Sequence, residues 1–105
     1  GVLLFRGTVR NGQRLENKGD IVIKGDINPG GEVVATGDIL VLGSLKGVAH
    51  AGVGGNQAAE IIAVTLAPIQ LRIAHLLSRS PEGRKDSEGP ERAHIKGEKI
   101  VVERL

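Results

Sequence analysis

Aliphatic or small apolar residues recur at every sixth position through the first half of the chain. The series is Leu3, Val9, Leu15, Ile21, Ile27, Val33, Ile39, Leu45 and Ala51. An α-helix repeats about every 3.6 residues and an isolated strand about every 2, so neither element explains this period. A coil with three equal sides does explain it, because one turn then carries three members of the series. Such a turn places the sequence Gly-Asp-Ile at positions 19–21 beneath the same sequence at positions 37–39.

This period predicts an all-β fold, a short three-sided β-helix with roughly 18-residue turns stacked about 4.8 Å apart. Each side would bury one apolar column, and parallel crossover connections favour a right-handed coil. We expect about three turns in a single domain over residues 1–105. The core should be aliphatic, because the chain contains one Phe and no Trp or Tyr.

The composition argues against several kinds of function. Without cysteine there is no disulfide or thiolate chemistry, and zinc would find only carboxylates and three scattered histidines. A formal net charge of +2 without stacking aromatics argues against nucleic acid as a partner. No apolar run approaches the about 20 residues of a membrane span. The chain also lacks Met, so we expect it to be a domain of a longer protein.

Polar turns occupy matching positions of successive coils. Asn11-Gly12 is a dipeptide that tolerates positive φ, and residues 28–31 (NPGG) repeat this corner one turn later. Residues 46–49 (KGVA) take the same place a third time. The sequence therefore predicts one edge of the coil where polar corners stack on each other.

This stacked edge is the candidate recognition surface. Arg10, Asn28 and Lys46 would form a polar column there, beside backbone left almost bare by glycines. Turn chemistry explains Asn11-Gly12, but it does not explain Arg10, or Gln13 at a position where the repeat otherwise keeps a small residue. Because local rules tend to be broken at functional sites, we expect this corner to bind a partner.

Beyond Ala51 the repeat ends in a glycine-rich loop, residues 52–56, which lacks the Lys-Ser/Thr of a phosphate-binding loop. The strand that follows, residues 60–66, is apolar on both faces, and the next segment alternates from Ile69. The core of a β-helix covers one face only, so we expect a second copy to cover the other face and close the open coil. The residues expected in this dimer interface are Ile61, Ile62, Val64, Leu66, Ile69, Leu71 and Ile73.

The last part of the chain is predicted to be a polar loop followed by paired strands. Residues 78–92 are charged and rich in Pro and Gly, which is typical of a solvated loop. Residues 96–99 (KGEK) then predict a turn before a strand from Lys99 to Glu103.

Two sets of residues suggest chemistry and have plainer explanations. Asp20, Asp26 and Asp38 follow glycines, but the calcium-binding β-roll has a repeat of nine, so we interpret them as turn residues that hydrogen-bond their own backbone. His50 suggests the base of a hexapeptide-repeat acyltransferase, yet such enzymes have more turns and no coenzyme motif accompanies this His. We therefore predict no catalytic, cofactor-binding or metal-binding residue.

The chain resembles the C-terminal domain of the MinC family, the septum-site-determining proteins that inhibit bacterial cell division. The resemblance extends over nearly the whole chain except residues 78–92. It is carried by residues 10–14 (RNGQR), 20–23 (DIVI), 30–35 (GGEVVA), 37–47 (GDILVLGSLKG), 50–52 (HAG), 93–95 (AHI) and 100–102 (IVV). It implies a right-handed, three-sided β-helix that forms a homodimer through its apolar strand face and binds the membrane-associated ATPase MinD.

The family's MinD-contacting motif is Arg-Ser-Gly-Gln, and the resemblance carries it onto residues 10–13. It implies a MinD-binding site formed by Arg10, Asn11, Gly12, Gln13 and Gly30. Asn11 replaces the family's serine and still suits the turn. Family members also use this domain with MinD to reach FtsZ, and they carry a basic residue one position after Gly47, where this chain has Val48.

The resemblance implies a non-enzymatic adaptor without a cofactor. Such a domain would be cytoplasmic, would be recruited to the inner face of the cell membrane by MinD, and would block FtsZ ring assembly and septum formation at wrong sites. Two alternatives share the six-residue period. A fragment of a hexapeptide-repeat acyltransferase predicts a trimer, and a self-polymerising scaffold such as a bactofilin predicts end-to-end filaments without a partner.

Overall fold

The strands of the chain stack in two sheets. The computed structural model describes residues 1–79 and 89–105, and these residues contain strands but no helix. The strands are β1 (Leu3–Arg6), β2 (Arg14–Asn17), β3 (Ile21–Lys24), β4 (Glu32–Ala35), β5 (Ile39–Leu45), β6 (Val48–Ala51), β7 (Ile61–Leu66), β8 (Gln70–Ile73), β9 (Leu76–Arg79), β10 (Glu91–Lys96) and β11 (Lys99–Arg104).

The two sheets and a set of isolated bridges form the three sides of a coil. Sheet A has the order β1-β3-β5-β7-β10-β11, and sheet B has the order β2-β4-β6-β8-β9. In sheet A, Ile21 pairs in parallel with Ile39, which lies one full turn later. The third side consists of parallel bridges from Val9 to Ile27 and from Ile27 to Leu45. The predicted β-helix is confirmed, but it has about four turns where we expected about three.

The residues of the six-residue series point into the coil. Seven of the nine have at most 1% of their surface exposed. The other two, Leu3 and Leu15, belong to the first turn and are only half-buried, whereas Val9 of the same turn is fully buried. Burying an aliphatic side chain contributes about 1.5–3 kcal/mol, so these columns supply much of the stability of the fold.

Glycines at the corners allow the turns to approach each other closely. A Cβ atom on Gly25 would lie closer than 3.0 Å to the carbonyl oxygen of Gly7. A Cβ atom on Gly43 would meet the carbonyl oxygen of Gly25 in the same way. Because the obstacle is backbone, the small residue is a requirement of the stacking itself.

The aspartates at the strand entrances connect successive turns. Oδ1 of Asp20 accepts a hydrogen bond from the backbone N–H of Asp38 at 2.7 Å, and Oδ1 of Asp38 accepts one from Glu60 at 2.8 Å. Oδ1 of Asp26 accepts one from Ser44 at 2.7 Å. The interpretation that these aspartates bond their own local backbone was wrong, because each carboxylate reaches the next turn of the coil.

The third corner of the coil is shorter than the first two. Ile27 pairs with Leu45 at the full repeat, whereas Glu32 pairs with Val48, which comes two positions before the full repeat. The expected third copy of the corner is therefore two residues shorter. The fourth turn compensates with the loop after β6, since Val48 pairs with Gln70.

Antiparallel strands close the upper end of the coil. β9 pairs antiparallel with β8, while β10 pairs antiparallel with both β7 and β11. Lys96 pairs with Lys99 across Gly97, which has a φ of 68°, so the predicted turn at residues 96–99 is confirmed. The end of the coil is covered by the chain's own last strands, a feature that the repeat did not predict.

The predicted polar loop at residues 78–92 needs correction at both ends. Ser78 and Arg79 belong to β9, because they pair in register with β8. Glu91 and Arg92 belong to β10, where they pair with β7 and β11. Residues 80–88, the middle of the predicted loop, lie outside the described residues.

Candidate partner-binding edge

The first corner of the coil is a tight turn closed by hydrogen bonds at both ends. The backbone N–H of Gln13 donates to the carbonyl oxygen of Arg10 at 2.9 Å. In return, the backbone N–H of Arg10 donates to Oε1 of Gln13 at 2.7 Å. Gly12 takes a φ of 86°, a conformation that glycine adopts without steric cost. The side chain of Gln13 thus holds the turn in which Arg10 is presented.

The second corner lies directly beside the first. The N–H of Gly12 donates to the carbonyl oxygen of Gly30 at 3.0 Å, and Gly30 has a φ of 85°. A Cβ atom on Gly30 would collide with the side chain of Asn11, so this amide rests on the glycine of the next turn. The edge therefore has less bare backbone than expected, because Asn11 covers part of it.

The five predicted edge residues are brought together by these two corners, and all five are exposed. They are Arg10, Asn11, Gly12, Gln13 and Gly30. Since Oε1 of Gln13 is used within the turn, its Nε2 amide remains as the donor for a partner. The edge offers a guanidinium and two amides, which suits a surface of carboxylates and carbonyl oxygens.

Arg14, the last residue of the RNGQR segment, is held on the outer face of sheet B. Its Nη1 lies 2.9 Å from Oε2 of Glu16, and its Nε lies 3.0 Å from Oε1 of Glu32. Exposed ion pairs of this kind contribute at most about 1 kcal/mol. The sequence assigned no role to Arg14. Its ion pair with Glu32 joins the first two turns.

The burial of the seven residues expected in the dimer interface divides them into core residues and surface residues. Four of the seven residues face the core of the domain, because inward positions alternate along β7 and β8. These are Ile61, Leu66, Leu71 and Ile73, each no more than 3% exposed. Their assignment to the interface was wrong, since they present no outer surface. Ile62 is half-buried on the outer face of sheet A, whereas Val64 and Ile69 are 45% and 55% exposed.

The outer face of sheet A carries an apolar column that crosses the coil from end to end. Leu4 pairs with Val22, Val22 with Leu40, and Leu40 with Ile62. A shallow cavity of about 200 Å³ lies along Val22, Leu40 and Ile62. Val64 lies on the next outward position of β7, so this face is continuous with Val64, whereas Ile69 lies before β8 of sheet B.

Residues 3–105 match the family model for the septum formation inhibitor MinC, C-terminal domain. The chain belongs to the MinC family.

Relatives and a solved structure agree with this assignment. The chain is 52% identical over 101 residues to the probable septum site-determining protein MinC of Symbiobacterium thermophilum, covering 96% of this chain and 44% of that protein. It is 51% identical over 98 residues to the septum site-determining protein MinC of Bacillus subtilis, covering 92% and 43%. The chain therefore spans less than half the length of these MinC relatives.

The fold is also similar to a chain in the solved MinC:MinD cell division protein complex of Aquifex aeolicus. The TM-score is 0.95 at 42% sequence identity, and the match covers 100% of this chain and 87% of that chain. This likeness agrees with the family match over residues 3–105.

His50 has a structural partner in this MinC-family domain. Its Nε2 lies 3.1 Å from the carbonyl oxygen of Ala74, at the hairpin turn between β8 and β9. Ala74 is a non-glycine residue with positive φ, 54°, so the contact fixes a strained turn. This geometry favours a structural role for His50 over the base of an acyltransferase.

A charged cluster lies at the upper end of sheet A. Arg92 Nη1 pairs with Glu60 Oε2 at 2.6 Å, and His94 Nε2 lies 3.1 Å from Glu103 Oε1 and 3.2 Å from Arg92 Nη2. Nε2 of His94 cannot both donate to the carboxylate of Glu103 and accept from the guanidinium of Arg92. With the proton on Nε2, His94 donates a hydrogen bond to Glu103. The hydrogen bond from His94 lowers the pKa of Glu103, and the charges of Arg92 and Lys96 act in the same direction.

Replacing His94 with alanine is expected to raise the pKa of Glu103 toward its ordinary value. Because the folded-state pKa is lowered, this contact stabilises the fold above the ordinary glutamate pKa and is lost as the pH falls through the folded-state value. A carboxyl NMR titration of the wild-type domain and the variant measures it. An unchanged Glu103 titration in the variant would contradict the assigned cause.

Among residues 1–79 and 89–105, no group of three or more His, Asp or Glu is placed to hold a metal ion. No helix in this part of the chain is long and apolar enough to span a membrane.

Proposed function

We propose that this chain is a non-enzymatic adaptor domain of a cell-division inhibitor. It binds the membrane-associated ATPase MinD through the edge formed by residues 10–13 and Gly30. The observation that carries the proposal is the paired corner itself, in which Gln13 and Gly30 hold an exposed Arg10 and two amides at one edge. The similarity to a chain of the Aquifex aeolicus MinC:MinD complex supports MinD as the partner.

Each edge residue has a distinct role in this proposal. Arg10 supplies charge-assisted hydrogen bonds, which are roughly twice as strong as neutral ones. Gly12 and Gly30 keep the two corners low, so that the partner reaches the backbone and the Asn11 amide. The Nε2 amide of Gln13 adds an orienting hydrogen bond.

The domain forms a homodimer through the outer face of sheet A. The apolar column through Leu40 and Ile62 continues to Val64, and a second copy related by two-fold symmetry buries the same residues on both sides. Two MinD-binding edges are then presented by one dimer. A dimeric partner can bridge neighbouring copies into an alternating chain, which strengthens attachment through multivalency.

Through MinD, the domain acts at the inner face of the cell membrane and targets inhibition of FtsZ ring assembly to sites where a septum must not form. The domain needs no cofactor for this role. The resemblance implies a basic residue one position after Gly47, where this chain has Val48, so FtsZ contact through that side chain is not part of this proposal.

Co-sedimentation with MinD and phospholipid vesicles tests the proposed function. We expect the domain to be recovered in the pellet with ATP and to stay in the supernatant with ADP, because the proposed partner is ATP-bound MinD at the membrane. Vesicles without MinD serve as the control. A domain that stays in the supernatant with both nucleotides would rule out MinD as its partner.

Replacing Val64 with glutamate is expected to convert the dimer into a monomer. Two-fold symmetry places two new charges in one apolar interface, and burying an unpaired charge is strongly unfavourable. Sedimentation should then give a mass near the 11.0 kDa of one chain. Leu77, 51% exposed on β9 of sheet B, provides the control, because its replacement with glutamate should leave the dimer intact. A dimer that persists in the Val64 variant would place the interface on another face.

A further inference from the structure

The third corner is shorter than the first two, so the surface above the candidate edge lies closer to the coil axis. We call this change in height the step. Four residues separate Ile27 from Glu32 at the second corner, but only two separate Leu45 from Val48 at the third. The first two corners therefore extend further from the coil axis than the third. Above Gly30 the surface recedes toward the third and fourth turns.

A column of backbone contacts runs from the edge across this step. The N–H of Glu32 donates to the carbonyl oxygen of Gln13. At the same position of the next turn, the N–H of Val48 donates to the carbonyl oxygen of Gly31. The N–H of Ile69 then donates to Gly47 at 3.0 Å. Gln13, Gly31, Gly47 and Ile69 thus lie at successive levels of one column, which spans roughly 14 Å at about 4.8 Å per turn.

The two glycines in the middle of this column have no side chain, and both are buried. A Cβ atom on Gly47 would collide with the carbonyl oxygen of Gly31, so no larger residue fits there. The backbone between Gln13 at one end and Ile69 at the other is therefore tightly stacked, and this buried column is called the floor here. Ile69 is 55% exposed and stands at the upper end of this floor.

Two cationic side chains, those of Arg10 and Lys46, lie along one side of the same floor. The N–H of Asn28 donates to Val9, and the N–H of Lys46 donates to Ile27, so Asn28 and Lys46 follow Arg10 at the second and third levels. Both Arg10 and Lys46 are exposed. The floor therefore has positive charge at its first and third levels and an apolar side chain at its fourth.

We propose that Lys46 and Ile69 extend the MinD-binding surface from the first two turns to the third and fourth. This inference rests on the proposed function, because the exposed column of Arg10, Asn28 and Lys46 is continuous with the edge at residues 10–13. The matching surface of MinD carries acidic side chains opposite Arg10 and Lys46 and an apolar side chain that packs on Ile69. Ile69 belongs to this corner and not to the dimer interface, since the apolar column of the interface lies on the outer face of sheet A.

Affinity for ATP-bound MinD tests the inference with Ile69→Ser and Lys46→Glu. Each is expected to weaken binding by about tenfold or more, the scale set by burying an isoleucine or removing an interfacial charge contact. Leu77→Ser and Lys18→Glu are the controls, because both residues are exposed and lie away from this corner, and neither should change the affinity. Dimer mass should stay unchanged in all four variants.

The outcomes separate the inference from the proposed function. Wild-type affinity in both test variants, with Arg10→Ala still defective, would overturn the extended surface and leave MinD binding at the edge. A monomeric Ile69→Ser variant would overturn it by returning Ile69 to the dimer interface. Absence of binding by the wild-type domain would overturn both proposals.

Discussion

Replacing Gly25 with alanine is expected to destabilise the fold by about 3 kcal/mol or more and to lower the Tm by at least about 12 °C. The new methyl group would collide with the carbonyl group of Gly7, at the point where Gly7 N–H donates to Lys24 at 3.0 Å. A side chain can rotate away from such a contact, but this obstacle is the backbone of the turn below. β1 and β3 must therefore separate and lose part of their ladder.

Thermal and denaturant unfolding followed by circular dichroism measures this effect. Gly54 provides the matched control, because it also has a positive φ, 97°, but an added Cβ would meet no atom within 4 Å. Gly54→Ala should cost only the backbone strain, about 1–2 kcal/mol. Equal losses in the two variants would mean that strain, and not the contact between turns, decides the requirement for glycine.

Replacing Arg10 with alanine is expected to weaken MinD binding by about thirtyfold or more while leaving the fold intact. Truncating one partner of a buried charged pair at an interface costs about 2–5 kcal/mol. Within the described part of the chain, the guanidinium of Arg10 makes no hydrogen bond or ion pair, and the turn is closed by its backbone groups. Alanine keeps those backbone groups, so the Tm should change by no more than a few degrees.

Titration of the variant against ATP-bound MinD provides the affinity, and Arg72→Ala provides the comparison. Arg72 is an exposed arginine on β8, distant in register from the first corner. Its replacement should leave MinD binding at the wild-type level. Equal affinities for the Arg10 variant and the wild-type domain would remove the edge from the proposed interface.

Periodicity predicted the coil because one physical requirement, a single buried residue per side, is repeated with each turn. The same requirement explains why the core series is almost fully buried wherever a turn lies beneath it, as at Ile21 and Ile39. Prediction from the periodicity fails where the chain leaves the repeat, because antiparallel strands such as β9 need only local alternation and a turn. Ser78 and Arg79 are polar enough to suggest a loop, but their backbone groups complete the ladder of β8.

The candidate site was predicted in part for a related reason. Residues 10–13 break the repeat in composition, and that signal is visible in the sequence. The assignment of Ile61 and Leu71 to an interface failed because an apolar residue looks the same on either face of a strand, and only the register decides which face is inward. The shortening of the third corner was also hidden, because residues 46–49 carry a glycine as the other corners do.

The antiparallel strands at the upper end of the coil hinder the stacking of further copies on that end. A parallel coil can in principle be extended by another copy, because its last turn presents the same ladder as every turn before it. Here β9 runs against the strand below it, so a coil added above would meet reversed polarity on sheet B. On sheet A the edge strand β11 runs in the direction of the coil strands again, because it is antiparallel to the reversed β10, but it carries Lys99, Glu103 and Arg104 at that edge. Unlimited head-to-tail stacking is thereby blocked at one end, and assembly into larger structures is left to side faces, where a partner protein can control it.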